Sequence, residues 1–158
     1  MSAGLVFLLA FGIGVITGLR SLTGPALVCW AAHLGWFNLE GSRLAFMGST
    51  VATYAFSAMA LGELVADKLP FIPNRTSPGP IFGRIVLGAL SGATLCTAGG
   101  SSVAFGAILG GAGGVLGAFA GYQARAGLVK KAGLPDFAVA LLEDIVAVGG
   151  GLFLVSRF

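Results

Sequence analysis

Charge is what this sequence has least of. Nine basic and six acidic side chains serve 158 residues, 9% of the chain, where soluble domains carry about a quarter. That scarcity excludes an ordinary soluble domain. The bases lie scattered at the ends of apolar stretches and build no basic face, so the net charge of +3 does not point to nucleic acid. Histidine is represented by His33 alone, and cysteine by Cys29 and Cys96, both inside apolar segments. A metal site wants further ligands around such a histidine. His33, between Trp30 and Trp36, reads as packed and hydrogen-bonded, and the two thiols as small buried hydrophobes rather than a disulfide. There is no phosphate-cradling glycine motif, no Cys-x-x-Cys and no His-Glu-x-x-His. Catalytic residues, a metal and a cofactor are therefore not expected. The opening MSAGLVFLLAFGIGVITGL lacks a basic leader, so an uncleaved first span is expected rather than a signal peptide.

What is present is apolar sequence, 56% of the chain. It falls into Gly4–Leu19, Gly24–Phe37, Leu44–Ala66, Pro80–Ala98, Val103–Tyr122 and Asp136–Ser156. Runs of roughly twenty apolar residues read as membrane-spanning helices. The expectation is an all-α, polytopic transmembrane protein, one domain over residues 1–158, with about six membrane segments. The second segment is about 21 Å long as a helix, short of the ~30 Å hydrocarbon core, and reads as a short or re-entrant span. Six crossings place Arg20, Lys68, Arg75, Arg84, Arg125, Lys130 and Lys131 on one face, and Arg43 and Arg157 on the other. Five crossings move Arg20 across and weaken the bias. The positive-inside rule thus favours six, with both termini outside the cytoplasm.

A 55-residue step aligns Arg20-Ser-Leu-Thr-Gly-Pro25 with Arg75-Thr-Ser-Pro-Gly-Pro80 and then reaches Lys130 and Pro135. Each proline would open a helix, where a missing amide proton costs nothing. The pattern suggests three helical-hairpin repeats. Glycine supplies 27 residues, far above the usual ~7%. Gly106, Gly110 and Gly114 recur every four residues, as do Gly113, Gly117 and Gly121, so each set marks one helix face. Such faces suit either a homo-oligomer or tight packing inside the monomer.

The few charges gather where they are expensive. The stretch from Gly62 to Arg84 holds Glu63, Asp67, Lys68, Arg75 and Arg84 and four of the six prolines. Glu63 and Asp67 are four apart and share a helix face. Glu143 and Asp144 lie deepest, about 10 Å into the last span. Adjacent helical residues point about 100° apart, so at least one must meet water or another helix. A cation site, a proton relay, or a counter-ion for Arg84 or Arg20 all fit; so does a structural ion pair. With six crossings, Glu63, Asp67, Arg20, Arg75 and Arg84 collect at one end above Glu143 and Asp144, as a half-buried polar vestibule. Arg20, Arg75 and Arg84, with Thr76 and its neighbours at helix starts, would also suit an anion or a lipid headgroup, although ordinary capping explains the hydroxyls as well.

Gly18-Leu19-Arg20 with Pro25 and Trp30, Gly62-Glu63-Leu64, Ala66-Asp67-Lys68-Leu69-Pro70, Pro73, Arg75-Thr76, Arg84 and Glu143-Asp144 resemble a family of small bacterial integral-membrane proteins catalogued only as a domain of unknown function. The resemblance implies a multi-pass helical fold in the bacterial cytoplasmic membrane. It implies no activity. Three roles follow from the residues: a transporter or channel-like protein whose intramembrane carboxylates handle a cation or proton; a lipid-binding or scaffold protein; and, least favoured, an enzyme acting on a lipid phosphate. Membrane lipids, and a second copy through the glycine faces, are the expected partners.

Overall fold

A computed structural model describes residues 1–67 and 76–158. The expectations for Lys68 and Arg75 lie outside the described residues. The chain forms six helices and no strand among the described residues: α1 (Ala3–Leu19), α2 (Thr23–His33), α3 (Thr50–Ala66), α4 (Pro78–Ala98), α5 (Val103–Lys130) and α6 (Asp136–Val155), with a 3-10 turn at Ala45–Gly48 before α3. Three of them, α4, α5 and α6, are long and apolar enough to cross a membrane; α1 and α3 are apolar but shorter.

Glycine decides which helices touch. A methyl at Gly14 would meet the Gly110 carbonyl, and one at Gly18 the Gly114 carbonyl, so α1 and α5 run in parallel at backbone contact. Along α4 the order reverses: Gly88 meets Gly110, and Gly92 meets Gly106. These contacts allow a close approach that no side chain would permit. The glycine faces of α5 are thereby filled inside the chain: Gly106, Gly110 and Gly114 by α4, Gly113 and Gly117 by α1. Gly121 is buried as well.

The remaining helices continue the alternation. On α6, Gly150 and Gly151 lie against Ile16 of α1, and Gly151 also against Leu27 of α2. Trp30 of α2 donates to Ser57 Oγ of α3 at 2.8 Å, and His33 Nδ1 lies 3.2 Å from the Gly48 carbonyl just before that helix. One end of the bundle therefore collects the C-termini of α1, α3 and α5 and the N-termini of α2, α4 and α6. The other carries the linkers around Asn38 and Ser101. That pairing gives a direct check: cysteines at Asn38 and Ser101 are expected to label from the same side of the membrane, and labelling from opposite sides refutes the alternation.

α2 has 11 residues, about 16 Å, and stops half-way. Phe37, Leu39 and Met47 of the following segment fill the rest of the depth and join Ile13, Val28, Cys29, Leu95 and Val155 in the core. Irregular backbone at such depth is tolerated where protein surrounds it. Cys29 and Cys96 are free and buried.

Three boundaries differ from the apolar segments. The second helix ends at His33, four residues before Phe37, where Gly35 takes a positive φ of 76°. The third helix starts at Thr50 and not Leu44, because Ser49 breaks out of the helix and its hydroxyl accepts from the Ala52 amide. The fifth runs to Lys130, past Tyr122, since charged residues end a membrane segment without ending a helix. At 28 residues it is about 42 Å long, beyond the ~30 Å a bilayer core needs. The prolines of the 55-residue step keep partial register. Pro25 and Pro80 are each the third residue of their helix, while Pro135 precedes the first. Their bases differ more, with Arg20 buried and Lys130 exposed.

Candidate functional site

α1 ends because Arg20 turns extended, at φ −136° and ψ 108°. Its side chain then enters the protein and is 1% exposed. A guanidinium keeps its charge and its five donors at any pH the protein meets, so a buried one needs acceptors. Arg20 has them from two helices. Its Nε and Nη2 each lie 2.7 Å from Asp144 Oδ1, its Nη2 3.6 Å from Glu143 Oε2 and 3.5 Å from the Ala140 carbonyl, and its Nη1 meets Asp67 Oδ2.

The same Asp67 oxygen accepts from Arg125 Nη1 at 2.9 Å. Arg125 sits late in α5 and reaches across the turn to Asp136, the first residue of α6, with paired bonds of 2.8 and 2.7 Å. Its Nη1 is also 3.8 Å from Glu143 Oε2. Arg20, Asp67, Arg125 and Glu143 thus close a ring of alternating charge, with Asp144 joined to it at Arg20 and Asp136 at its rim. Exposure is greatest at the rim and least at Arg20: Asp136 62%, Arg125 and Asp67 18% each, Asp144 14%, Glu143 9% and Arg20 1%.

Glu63 does different work. The first amides of a helix have no intrahelical partner, and α2 has no side-chain cap of its own. The carboxylate of Glu63, reaching from α3, accepts from Ser21 N at 2.8 Å and Leu22 N at 2.9 Å. Negative charge there also meets the positive end of the helix dipole. Arg84 closes this side of the cluster. Its Nε donates to the Gly18 carbonyl at the end of α1 at 2.9 Å and its Nη1 to Pro80 O at 3.4 Å; its Nη2 is 4.0 Å from Glu63.

The structure therefore brings Glu63, Asp67, Glu143, Asp144, Arg20 and Arg84 to one end, where five of the six acids of the chain gather. The anion-binding reading meets a different geometry. Arg20 and Arg84 are buried and turned towards carboxylates and carbonyls, and the anion at the α2 N-terminus is the protein's own Glu63. Thr76 is half-buried at the edge of the described residues. Arg125 and Asp136 also belong to the cluster, and neither is among the site residues expected from the sequence. Opposite charges flanking the α5–α6 turn were the available signal. Among the described residues no group of His, Cys, Asp and Glu side chains is arranged to hold a metal ion.

The model of one family, described as a domain of unknown function (DUF4126), matches residues 7–156. The chain belongs to that family. Its matched stretch runs through every member of the charged cluster, from Arg20 to Asp144, so the cluster is part of what the family model covers. No curated protein and no solved structure matches the chain.

Proposed function

We propose that this chain is a small multi-pass transporter or channel-like protein of a bacterial cytoplasmic membrane, with Glu143 and Asp144 as the carboxylates that handle a proton or small cation. One observation carries the reading: an unbroken line of ion pairs leads from exposed Asp136, through Arg125 and Asp67, to buried Arg20 and half-buried Asp144. Ionisable groups within apolar helices are costly and mark ion or proton routes. Arg20 acts as a tethered cation. A proton or metal cation arriving along the line competes with its guanidinium for the Asp144 and Glu143 oxygens and frees it to lean on Asp67. The half-length α2, whose N-terminus opens at this cluster, is the kind of discontinuous helix on which transporter sites are built.

The protein reconstituted in liposomes is expected to pass protons or a monovalent cation down a gradient. Glu143→Gln with Asp144→Asn is expected to cut that flux by about tenfold or more, the range of effect that losing a positioned proton carrier gives. A strong flux that survives both substitutions removes the site assignment. A second reading has support in the inward turn of Arg20 and Arg84: the network then only fixes helices, and the protein is a non-transporting scaffold among membrane lipids. Absence of flux for protons, sodium and potassium alike would favour it. The lipid-phosphate enzyme is supported least, since its acids must face a metal ion and those of the cluster face guanidiniums.

A further inference from the structure

The six helices are not held equally. α1, α4 and α5 meet backbone to backbone at their glycines, and α2 and α6 pack onto them through the main core. α3 stands apart. It packs on α2 and on the 3-10 turn that precedes it, and of its 17 residues only Thr53 and Ala60 are buried.

Its two ends are fastened by opposite kinds of contact. At the Ser49 end the anchor is apolar: Met47 is fully buried in the core and touches Cys29. Half-way along α3, Trp30 of α2 donates a hydrogen bond to Ser57. At the Asp67 end the fastening is ionic. Glu63 holds the Ser21 and Leu22 amides, and Asp67 holds Arg20 and Arg125. Among the described residues, the charged groups facing that end are Arg20 after α1, Arg84 of α4, Arg125 of α5, and Glu143 and Asp144 of α6. Burial of Met47 has no soluble competitor, whereas an ion pair exchanges with water, protons or salt ions. Segments with few buried contacts open at lower free energy than the core around them.

We infer that α3 is a swinging arm, pivoted at the 3-10 turn and latched at its other end by Asp67 between Arg20 and Arg125. Release of the latch lifts the charged end of α3 off α2 and wets the cluster beneath it. The gating role of this motion rests on the conduit reading; the motion itself does not. Asp67 is a positioning residue, set between two guanidiniums.

Ala60 and Thr53 test the arm, because they lie on the buried side of α3 at different distances from the latch. Ala60 is about 10 Å from Asp67 along the helix, Thr53 about 21 Å. Each is changed to Cys in a chain carrying Cys29→Ala and Cys96→Ala, and maleimide labelling is followed in liposomes, with no gradient and no flux measurement. Asp67→Asn is expected to speed labelling at Ala60→Cys by about tenfold or more, as for a local opening, and to leave Thr53→Cys protected. Asp67→Glu, which keeps the charge, is expected to stay near the parent. Unchanged labelling at Ala60→Cys overturns the arm. So does an equal rise at both positions, which would make Asp67 a support of the whole fold. If Glu143→Gln with Asp144→Asn abolishes flux while Asp67→Asn leaves labelling unchanged, the conduit stands and the arm falls.

Discussion

Arg20→Met is expected to destabilise the protein by about 3–5 kcal/mol, the usual cost of removing one partner from a buried ionic group. The side chain is 1% exposed and meets Asp67, Glu143 and Asp144. Methionine fills much of the volume but removes the charge that Asp67 shares with Asp144, leaving Arg125 as the guanidinium between Asp67 and Glu143. The weaker neutralisation of the acids favours proton uptake or entry of water. Removing a single acid is milder, because Arg20 keeps its other acceptors: Asp144→Asn is expected to cost about half as much or less. Arg20→Lys should fall between. A lysine carries a point charge and cannot reach Asp67 on one side and Asp144 on the other as the guanidinium fork does. Arg20→Met combined with Asp144→Leu should recover part of the loss, since apolar replacement of both members of a buried pair is often close to neutral. The measurement is the temperature at which each variant loses its monodisperse peak in detergent. Parent-like stability in Arg20→Met would mean that the cluster is hydrated throughout and holds nothing together.

The sequence made the helices legible and the cluster partly so. Periodic apolar runs placed α1, α4 and α6 within two residues, because there the apolar stretch and the helix coincide. At Phe37, Leu44 and Tyr122 they do not coincide. Composition reports where a chain avoids water; hydrogen bonding decides where it is helical. Arg20 was a nameable counter-ion for Glu143 and Asp144, since an ionised group this deep must meet its opposite. That Glu63 would cap α2 was not legible, because the contact depends on how α3 docks, and nothing in the local pattern of either helix encodes it. In the sequence Asp136 is an ordinary first-turn acid; its role appears only when Arg125, eleven residues earlier, is folded back beside it. The glycine period of α5 showed that two faces were small without showing what would cover them. α1 and α4 carry the complementary glycines at Gly14, Gly18, Gly88 and Gly92, which makes the answer readable in hindsight as spacing matched between helices.

The same matching gives the second large effect. Gly110 lies where α5 crosses both neighbours: Gly14 and Gly88 each sit against its carbonyl, and its own missing side chain points at the Gly88 carbonyl and at Gly92. Gly110→Val is expected to cost about 3 kcal/mol or more, above the ordinary 1–3 kcal/mol of overpacking. The atoms in the way are backbone, which cannot rotate aside as a side chain can. To make room, α5 must draw away from α4, which strips the close contacts from Gly106 to Gly114. Gly149→Ala is the control. Nothing lies within 4 Å of a methyl there, so it should be neutral or gain up to about 1 kcal/mol from better helix propensity. The contrast in melting temperature between the two variants separates close packing from a general intolerance of larger residues. It also bears on assembly. If these faces serve α1 and α4, Gly110→Val loses stability in every oligomeric state. A Gly110→Val protein that melts like the parent but sediments as a smaller particle would hand the faces back to a second copy of the chain.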